Sequence, residues 1–236
     1  MIYPKLLNTP IKEIIFSISY EGITDNDCIK NYIKSKKISS RFSEINPAVV
    51  IQFSEKGVEQ TKDFSSYNLK NKNEVLNLKK GSFSYHYLNE YKHFDDVLNE
   101  ILNFWNEFML VSENEITISS VSVRYINLIE IDVENPPSRL VQVYPKYSSD
   151  RDIINFQNSV QFSYKNSPEY NIVVVSTQPK KDKLLLDITV NNKVDNNVND
   201  LNLGTLFSPL QEIKNKVFFD SITAQALLKY INKNGK

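Results

Sequence analysis

The stretch ITISSVSVRYINLIEIDV, residues 116–133, is the longest run of strand-forming residues in this 236-residue chain. From Val121 onward its odd positions are apolar or aromatic except for the amide of Asn127, whereas Arg124 and most of the other polar side chains occupy even positions. Alternate side chains of a strand point to opposite faces of a sheet. The pattern therefore predicts a central strand with a buried odd face, and it places Arg124 and Asn127 on opposite faces.

The alternation changes phase near the start of this strand. Ile116 and Ile118 occupy even positions, so the apolar face switches between Ser119 and Ser120. At about 3.3 Å per residue, a straight strand of this length would span roughly 60 Å, which is too long for a domain of this size. A bulge or a sharp bend is predicted at the switch.

Periodicity predicts strands and helices on the N-terminal side of the central strand. The most regular element is an amphipathic helix from Phe94, in which apolar residues recur at helical spacing as far as Met109. The elements predicted before it are a strand over residues 11–20, a helix from Cys28 to about Lys37, a strand over 48–53, a hairpin or irregular loop over 57–72, and a hairpin formed by 74–78 and 82–88.

Two adjacent prolines, Pro136 and Pro137, follow the central strand and cannot donate to a sheet ladder. Beyond them the sequence predicts an antiparallel meander and two helices. Ser208 is the predicted cap of the first helix, with Pro209 at its first position, and Thr223 is the predicted cap of the second. The strands of the meander are predicted at residues 140–144, 155–164, 170–177 and 183–190.

These elements predict an α+β protein with two subdomains, residues 1–135 and 136–236. Each subdomain is expected to pack a largely antiparallel sheet against a long amphipathic helix. The first is an α+β unit that ends with the central strand, and the second is the meander with its helices.

Composition excludes several classes of enzyme and partner. Lys+Arg and Asp+Glu both number 28, so no net charge draws the chain to nucleic acid or an anionic membrane. The chain has only five glycines and two histidines, and it has neither a glycine-rich phosphate loop nor a histidine metal cluster. The single cysteine, Cys28, fits a reducing compartment, and no apolar run reaches the roughly 20 residues that span a bilayer. The sequence predicts a soluble, cytoplasmic protein without a metal or a cofactor.

Carboxylates are the remaining catalytic candidates. Glu130 and Asp132 share one face of the central strand, and Asp187 lies within the apolar run LLLDITV. The alternative hypothesis is therefore a metal-dependent hydrolase or nuclease. Asp187 is expected on the exposed side of the meander; if it faces inward, it requires a cation, and Arg124 is the predicted partner. No residue is assigned a catalytic or metal-binding role.

A lysine-rich segment bears on nucleic-acid binding. Lys30, Lys34, Lys36, Lys37 and Arg41 lie on and after the first predicted helix. Arginine is favoured for two-point contacts with phosphate and guanine, and the chain has only four arginines. A solvated lysine face is the preferred interpretation, which disfavours a nucleic-acid partner without excluding one.

Several short segments together resemble a sporadically distributed, uncharacterised family of bacterial and archaeal proteins. They are Asn8-Thr9-Pro10-Ile11-Lys12-Glu13 at the first strand, Arg124-Tyr125-Ile126-Asn127 in the central strand, and Leu186-Asp187-Ile188 followed by a helix and Phe218 to Thr223. The resemblance extends over nearly the whole chain. It implies an α+β protein of about this length and no particular activity. Sporadic distribution is typical of mobile accessory genes, including defence and toxin–antidote systems.

The leading hypothesis is a non-enzymatic interaction or sensing module of a bacterial accessory system, with antiviral defence or a toxin–antidote pair as its setting. The predicted partner is a protein encoded nearby; a homo-oligomer is left open and no membrane partner is expected. The predicted binding residues are Arg124, Tyr125 and Asn127, although tethering of the two halves of the chain is the preferred role of Arg124 and Asn127. A third hypothesis is small-molecule binding in a cavity lined by Tyr85, Trp105 and Tyr125.

Overall fold

The computed structural model describes residues 3–4, 6–22, 26–54, 57–88, 93–112, 116–131, 140–142, 156–180, 182–194 and 202–231, and the side chains of all of these except 26, 49–54 and 57–64. The strands are β1 (Ile11–Glu21), β2 (Glu44–Ser54), β3 (Gly57–Lys70), β4 (Glu74–Lys79), β5 (Ser82–Tyr87), β6 (Thr117–Glu130), β7 (Gln157–Tyr164), β8 (Ser167–Lys180) and β9 (Lys183–Lys193). The helices with bounds in the described ranges are α1 (Asn26–Lys34), α2 (Lys36–Arg41), α3 (Phe94–Val111), α4 (Leu203–Ser221) and α5 (Ala224–Ile231).

The strands form one large sheet in the order β2-β3-β4-β5-β1-β6-β9-β8-β7. The pairs β2–β3, β3–β4, β4–β5, β7–β8 and β8–β9 are antiparallel. The predicted mixture of helices with a largely antiparallel sheet is confirmed, and so is the pairing of the last three strands of the predicted meander, β7, β8 and β9. The central strand of the prediction is β6, which lies between β1 and β9.

Contacts divide the chain into two compact units that do not follow chain order. Unit 1 comprises Met1–Ile14, Val123–Asn192 and Thr205–Lys236, and unit 2 comprises Ile15–Ser122 and Lys193–Gly204. β1 and β6 therefore contribute residues to both units. The boundary predicted between residues 135 and 136 lies outside the described residues and stays a prediction.

An aromatic core holds unit 2 together. Most of the predicted apolar stripe of α3 is buried, including Trp105 and Phe108, and Phe104 is buried beside it. The Trp105 ring lies 5.4 Å from that of Phe83 on β5, and the Tyr32 hydroxyl of α1 donates to the Phe104 carbonyl at 2.8 Å. Each fully buried aromatic side chain contributes roughly 1.5–3 kcal/mol by leaving water.

Helix α4 begins earlier than predicted. It starts at Leu203 instead of Ser208, and Pro209 lies inside the helix. The Asn202 side-chain oxygen accepts from the Gly204 N–H at 2.9 Å, which supplies an N-terminal cap, and Leu203 and Phe207 extend the buried stripe by almost two turns. Burial of these two side chains offsets the loss of the backbone hydrogen bond that a proline cannot donate. The Thr223 cap of α5 is confirmed, because its hydroxyl accepts from the Ala226 N–H.

Two other segments differ from the prediction. Residues 57–70, predicted as a hairpin or loop, form strand β3, which pairs with β2 on one side and with β4 on the other. Backbone pairing on both sides stabilises a strand whose polar sequence alone does not favour one. Within the predicted strand 140–144, Val141 forms an isolated bridge to Ile222, and residues 143 and 144 lie outside the described part of the chain.

The cap of α4 gives a stability prediction. Asn202→Ala removes the side-chain acceptor and should lower the free energy of unfolding by about 1 kcal/mol in urea denaturation. Asn202→Asp keeps an acceptor and places negative charge at the helix N-terminus, so it should retain wild-type stability. Equal stability of the alanine variant and the wild type would show that α4 does not depend on this cap.

Candidate functional site around Arg124

Arg124 lies on the face of β6 opposite the buried one. Val121, Val123, Tyr125 and Ile129 are buried at odd positions, whereas 47% of the Arg124 side chain is exposed. The predicted faces of the central strand are therefore confirmed. The bulge expected between Ser119 and Ser120 stays a prediction.

The Asp187 carboxylate on β9 forms a two-point ion pair with the Arg124 guanidinium. The Nε atom lies 3.0 Å from both carboxylate oxygens, and Nη2 donates to Oδ2. Asp187 lies on the face of β9 opposite the buried Leu186 and Ile188, which agrees with its prediction on the outer side of the meander. It is only 7% exposed, so the expected exposure is wrong, and its partner is the predicted cation, Arg124. The hydrogen bonds that Arg124 donates to Asp187 raise the pKa of Arg124, against the effect of partial burial, and the Glu13 carboxylate on β1 adds to the rise.

Asn127 connects the same two strands on the core face. Asn127 is 1% exposed, and its Nδ2 donates to the Leu186 carbonyl at 3.0 Å and to the Tyr125 carbonyl at 3.3 Å. A buried amide requires such acceptors. Arg124 and Asn127 therefore tie β6 to adjacent residues of β9 from opposite faces, as the tethering interpretation predicts. Whether Arg124 also binds a partner stays a prediction.

A buried amine lies against the third predicted residue, Tyr125. The Nζ atom of Lys214 on α4 lies 3.8 Å from the centre of the Tyr125 ring, and the two residues are 7% and 0% exposed. Burial lowers the pKa of Lys214 to about 7. Attraction to the ring face offsets part of this cost, by roughly 2 kcal/mol for a desolvated cation.

Sequence reasoning missed Lys214. The signal was its spacing, since Lys214 follows Leu210 by four residues and precedes Val217 by three, and both neighbours are buried on α4. A lysine in the apolar stripe of a helix is therefore a candidate for a buried amine with a perturbed pKa.

The two carboxylates of the alternative hypothesis that the structure describes, Glu130 and Asp187, do not form a metal site. Glu130 is 79% exposed and accepts from Lys183 at 2.9 Å, Asp187 is bound to Arg124, and Asp132 lies outside the described residues. Within the described ranges, no group of three histidine, cysteine or acidic side chains could hold a metal ion.

The residues of the small-molecule hypothesis lie within packed cores. Tyr85 and Trp105 belong to the aromatic cluster of unit 2, where the Tyr85 ring lies 5.3 Å from that of Phe104. Tyr125 belongs to unit 1, beneath Lys214. The structure gives each of these rings a packing role.

Several cations of the predicted lysine-rich segment have carboxylate partners. Lys30 pairs with Asp27, and Lys37 pairs with Glu107 on α3. Arg41 makes a two-point contact with Glu74 at 2.7 and 2.8 Å and a third contact with Glu100 at 2.9 Å. Burial opposes ionisation of Glu74, but the Arg41 guanidinium holds its pKa below the usual value. These pairs neutralise much of the positive charge on this segment.

Comparison of the chain with models of protein families gives no match, and comparison with curated proteins gives none either. The described helices include none with the length and apolar character needed to cross a bilayer.

Removal of the Arg124 guanidinium should destabilise the protein. Arg124→Met leaves the buried Asp187 carboxylate without its cation, and we expect the free energy of unfolding to fall by about 2 kcal/mol. The expected decrease is smaller than for a fully buried pair, because solvent screens the half-exposed arginine. Urea denaturation measures the change.

Two control variants separate the ion pair from other effects of this substitution. The double variant Arg124→Met/Asp187→Leu should regain most of the lost stability, since neither charge remains. Lys183→Met, which breaks the exposed pair with Glu130, should change stability by less than about 0.5 kcal/mol. A double variant as unstable as Arg124→Met would contradict the role of the pair.

Lys214 should make stability depend on pH. Its folded-state pKa is about 7 and its ordinary value is 10.5, so the unfolded chain binds more protons between these limits. Stability should therefore rise as the pH is raised from 7 to 9. Lys214→Met should flatten this rise and increase the free energy of unfolding at pH 7 by about 3 kcal/mol.

Urea denaturation at a series of pH values from 7 to 9 measures this change in the free energy of unfolding. Higher pH is avoided because burial raises the pKa of Tyr20, Tyr32 and Tyr85, so their ionisation in the unfolded chain reduces stability above about pH 10. Lys216→Met, on the same helix, is the matched control and should leave the pH slope unchanged. Equal slopes for Lys214→Met and the wild type would refute the assignment.

Proposed function

We propose that this protein is a non-enzymatic interaction or sensing module of a bacterial accessory system, built from two subdomains that each pack a sheet against an amphipathic helix. Its partner is a cytoplasmic protein encoded nearby, in an antiviral defence or toxin–antidote setting. The observation that supports a binding role best is the fixed, half-exposed guanidinium of Arg124. The resemblance to a sporadically distributed family supports the setting.

Arg124 is preorganised for contact with another protein. The ion pair with Asp187 restricts the Arg124 side chain before a partner binds, so less conformational entropy is lost on binding. Arginine is also enriched among the residues that contribute most to interface energies. Half-buried aliphatic side chains share its face, Ile126 and Leu128 on β6 and Leu185 beside Asp187 on β9. We call these four residues the Arg124 face.

The charges around Arg124 favour a protein over a nucleic acid. The Arg124 guanidinium donates to the Asp187 carboxylate, and the Glu13 carboxylate also lies near it. Arg124 is therefore not a free cation, whereas nucleic-acid affinity depends on free cations. Aliphatic side chains around a desolvated arginine are typical of protein interfaces.

The hydrolase alternative gains no support from the geometry. Asp187 and Glu130 each have a cation as their partner, Arg124 and Lys183. A metal site would require these carboxylates to exchange the cations for the ion. The interaction hypothesis requires no such rearrangement.

A binding experiment with defined partners tests the proposal. The products of the genes that flank its own would be expressed with the tagged protein, and complexes would be measured by co-purification and calorimetry. Ile126→Glu should weaken the complex by about tenfold or more, which corresponds to 1.4 kcal/mol, because it places a charge in the contact. Leu110→Glu, at the 85% exposed Leu110 of α3, is the matched control and should bind normally.

Thermal denaturation of both variants accompanies this test, so that a loss of folding is not taken for a loss of binding. A partnerless protein that turns over a nucleotide or a nucleic acid would refute the proposal. So would a complex that Ile126→Glu leaves unchanged, because the Arg124 face would then not be the contact.

A further inference from the structure

Strand β7 ends the sheet with an uncharged edge. It is the last strand in the sheet order, and within the described part of the chain its strand neighbour is β8. Its sequence, QNSVQFSY, contains no charged residue, no proline and no glycine. The outer edge of a terminal strand presents backbone N–H and C=O groups that another strand can bind.

The opposite end of the sheet is protected in a way that β7 is not. Strand β2 contains Glu44 and Pro47, and its register with β3 shifts between Pro47 and Ala48. Charge, proline and a bulge are the usual means by which proteins prevent edge-to-edge pairing. β7 has neither charge nor proline, and its register with β8 shifts only near its C-terminal end, between Ser163 and Tyr164. The regular part of this edge, before Tyr164, is therefore the one suited to strand addition.

The side chains of β7 alternate as in a strand at an interface. One face holds Val160, Phe162 and Tyr164, and the opposite face holds exposed glutamine and serine. Val160, near the middle of the strand, is 40% exposed, although it lies opposite Val174 of β8 and continues the apolar face of the meander. The Phe162 and Tyr164 rings contact each other edge-on at 6.3 Å, with Lys216 of α4 over Tyr164. The apolar layer therefore continues to the edge.

We propose that β7 pairs with β7 of a second copy of this chain, antiparallel and about a two-fold axis, so that the two sheets become continuous. A two-fold axis brings each strand against itself, and like charges would then face each other in a charged strand. β7 has no charge to repel its copy. Val160 of each protomer extends the apolar face of the other, and the amide and hydroxyl side chains of the opposite face both donate and accept hydrogen bonds.

This assembly is independent of the proposed function. The Arg124 face lies on β6 and β9, and β7 belongs to the outer end of the meander. Loss of the dimer with retained partner binding, or the reverse, would distinguish failure of one proposal from failure of the other.

Sedimentation equilibrium tests the pairing. The full chain should behave as a dimer, with twice the monomer mass of 27.4 kDa, and Val160→Lys should shift it to the monomer. Val160→Glu should do the same, and an equimolar mixture of the two variants should recover the dimer, because lysine then faces glutamate across the axis. Leu110→Lys, which charges an exposed leucine on α3, is the matched control and should remain dimeric.

Cysteine cross-linking maps the register. Because Cys28 is the single native cysteine and is buried, cysteines introduced one at a time across β7 in a Cys28→Ser background report contacts of this strand alone. Disulfide-linked dimer should form best at one position near the axis and decrease on both sides. A monomer at the highest soluble concentration would overturn the proposal, as would a dimer that persists in Val160→Lys without cross-linking through β7.

Discussion

Unit 1 depends on the pairing of the buried Asp187 carboxylate with a cation. An ionised carboxylate with 7% exposure is stable only if its oxygens are paired, and Arg124 supplies both contacts from the neighbouring strand. On the other face, Asn127 donates to the carbonyl of Leu186, the residue before Asp187. A one-residue slip would exchange the faces, moving a guanidinium into the core and an amide out of it. The pair and the amide together define the register of β6 against β9.

The arginines of the described ranges follow the same rule, and the buried Lys214 does not. The two arginines in the described ranges, Arg41 and Arg124, both bind carboxylates in two-point contacts. Lys214 has its contact with the Tyr125 ring instead of a carboxylate, and burial lowers its pKa. The chain has no net charge to attract phosphate, so shape and preorganisation are the properties by which we identify surfaces suited to recognition. The Arg124 face and the β7 edge both have this character.

Much of the architecture could be predicted, because it depends on local periodicity. The stripe of α3, the hairpin of β4 and β5, the meander and the Thr223 cap all follow from residues within one or two turns or strands of each other. The start of α4 could not, because a proline and a nearby serine gave a competing cap signal, and burial of Leu203 and Phe207 outweighed it. Strand β3 was missed for a related reason, since pairing on both sides stabilises a polar segment.

In the candidate site too, the sequence determines some features and only the tertiary structure decides others. The sequence by itself determined which residues of β6 face the core, because side chains of a strand alternate regardless of what the strand packs against. It also identified Arg124 as the partner of Asp187 on the condition that Asp187 is buried. Only the tertiary structure decided that condition, and only it placed Lys214 over Tyr125, because both depend on residues distant in the chain. Free energies of burial and pairing depend on the neighbours that folding brings together, and periodicity within a segment does not specify those neighbours.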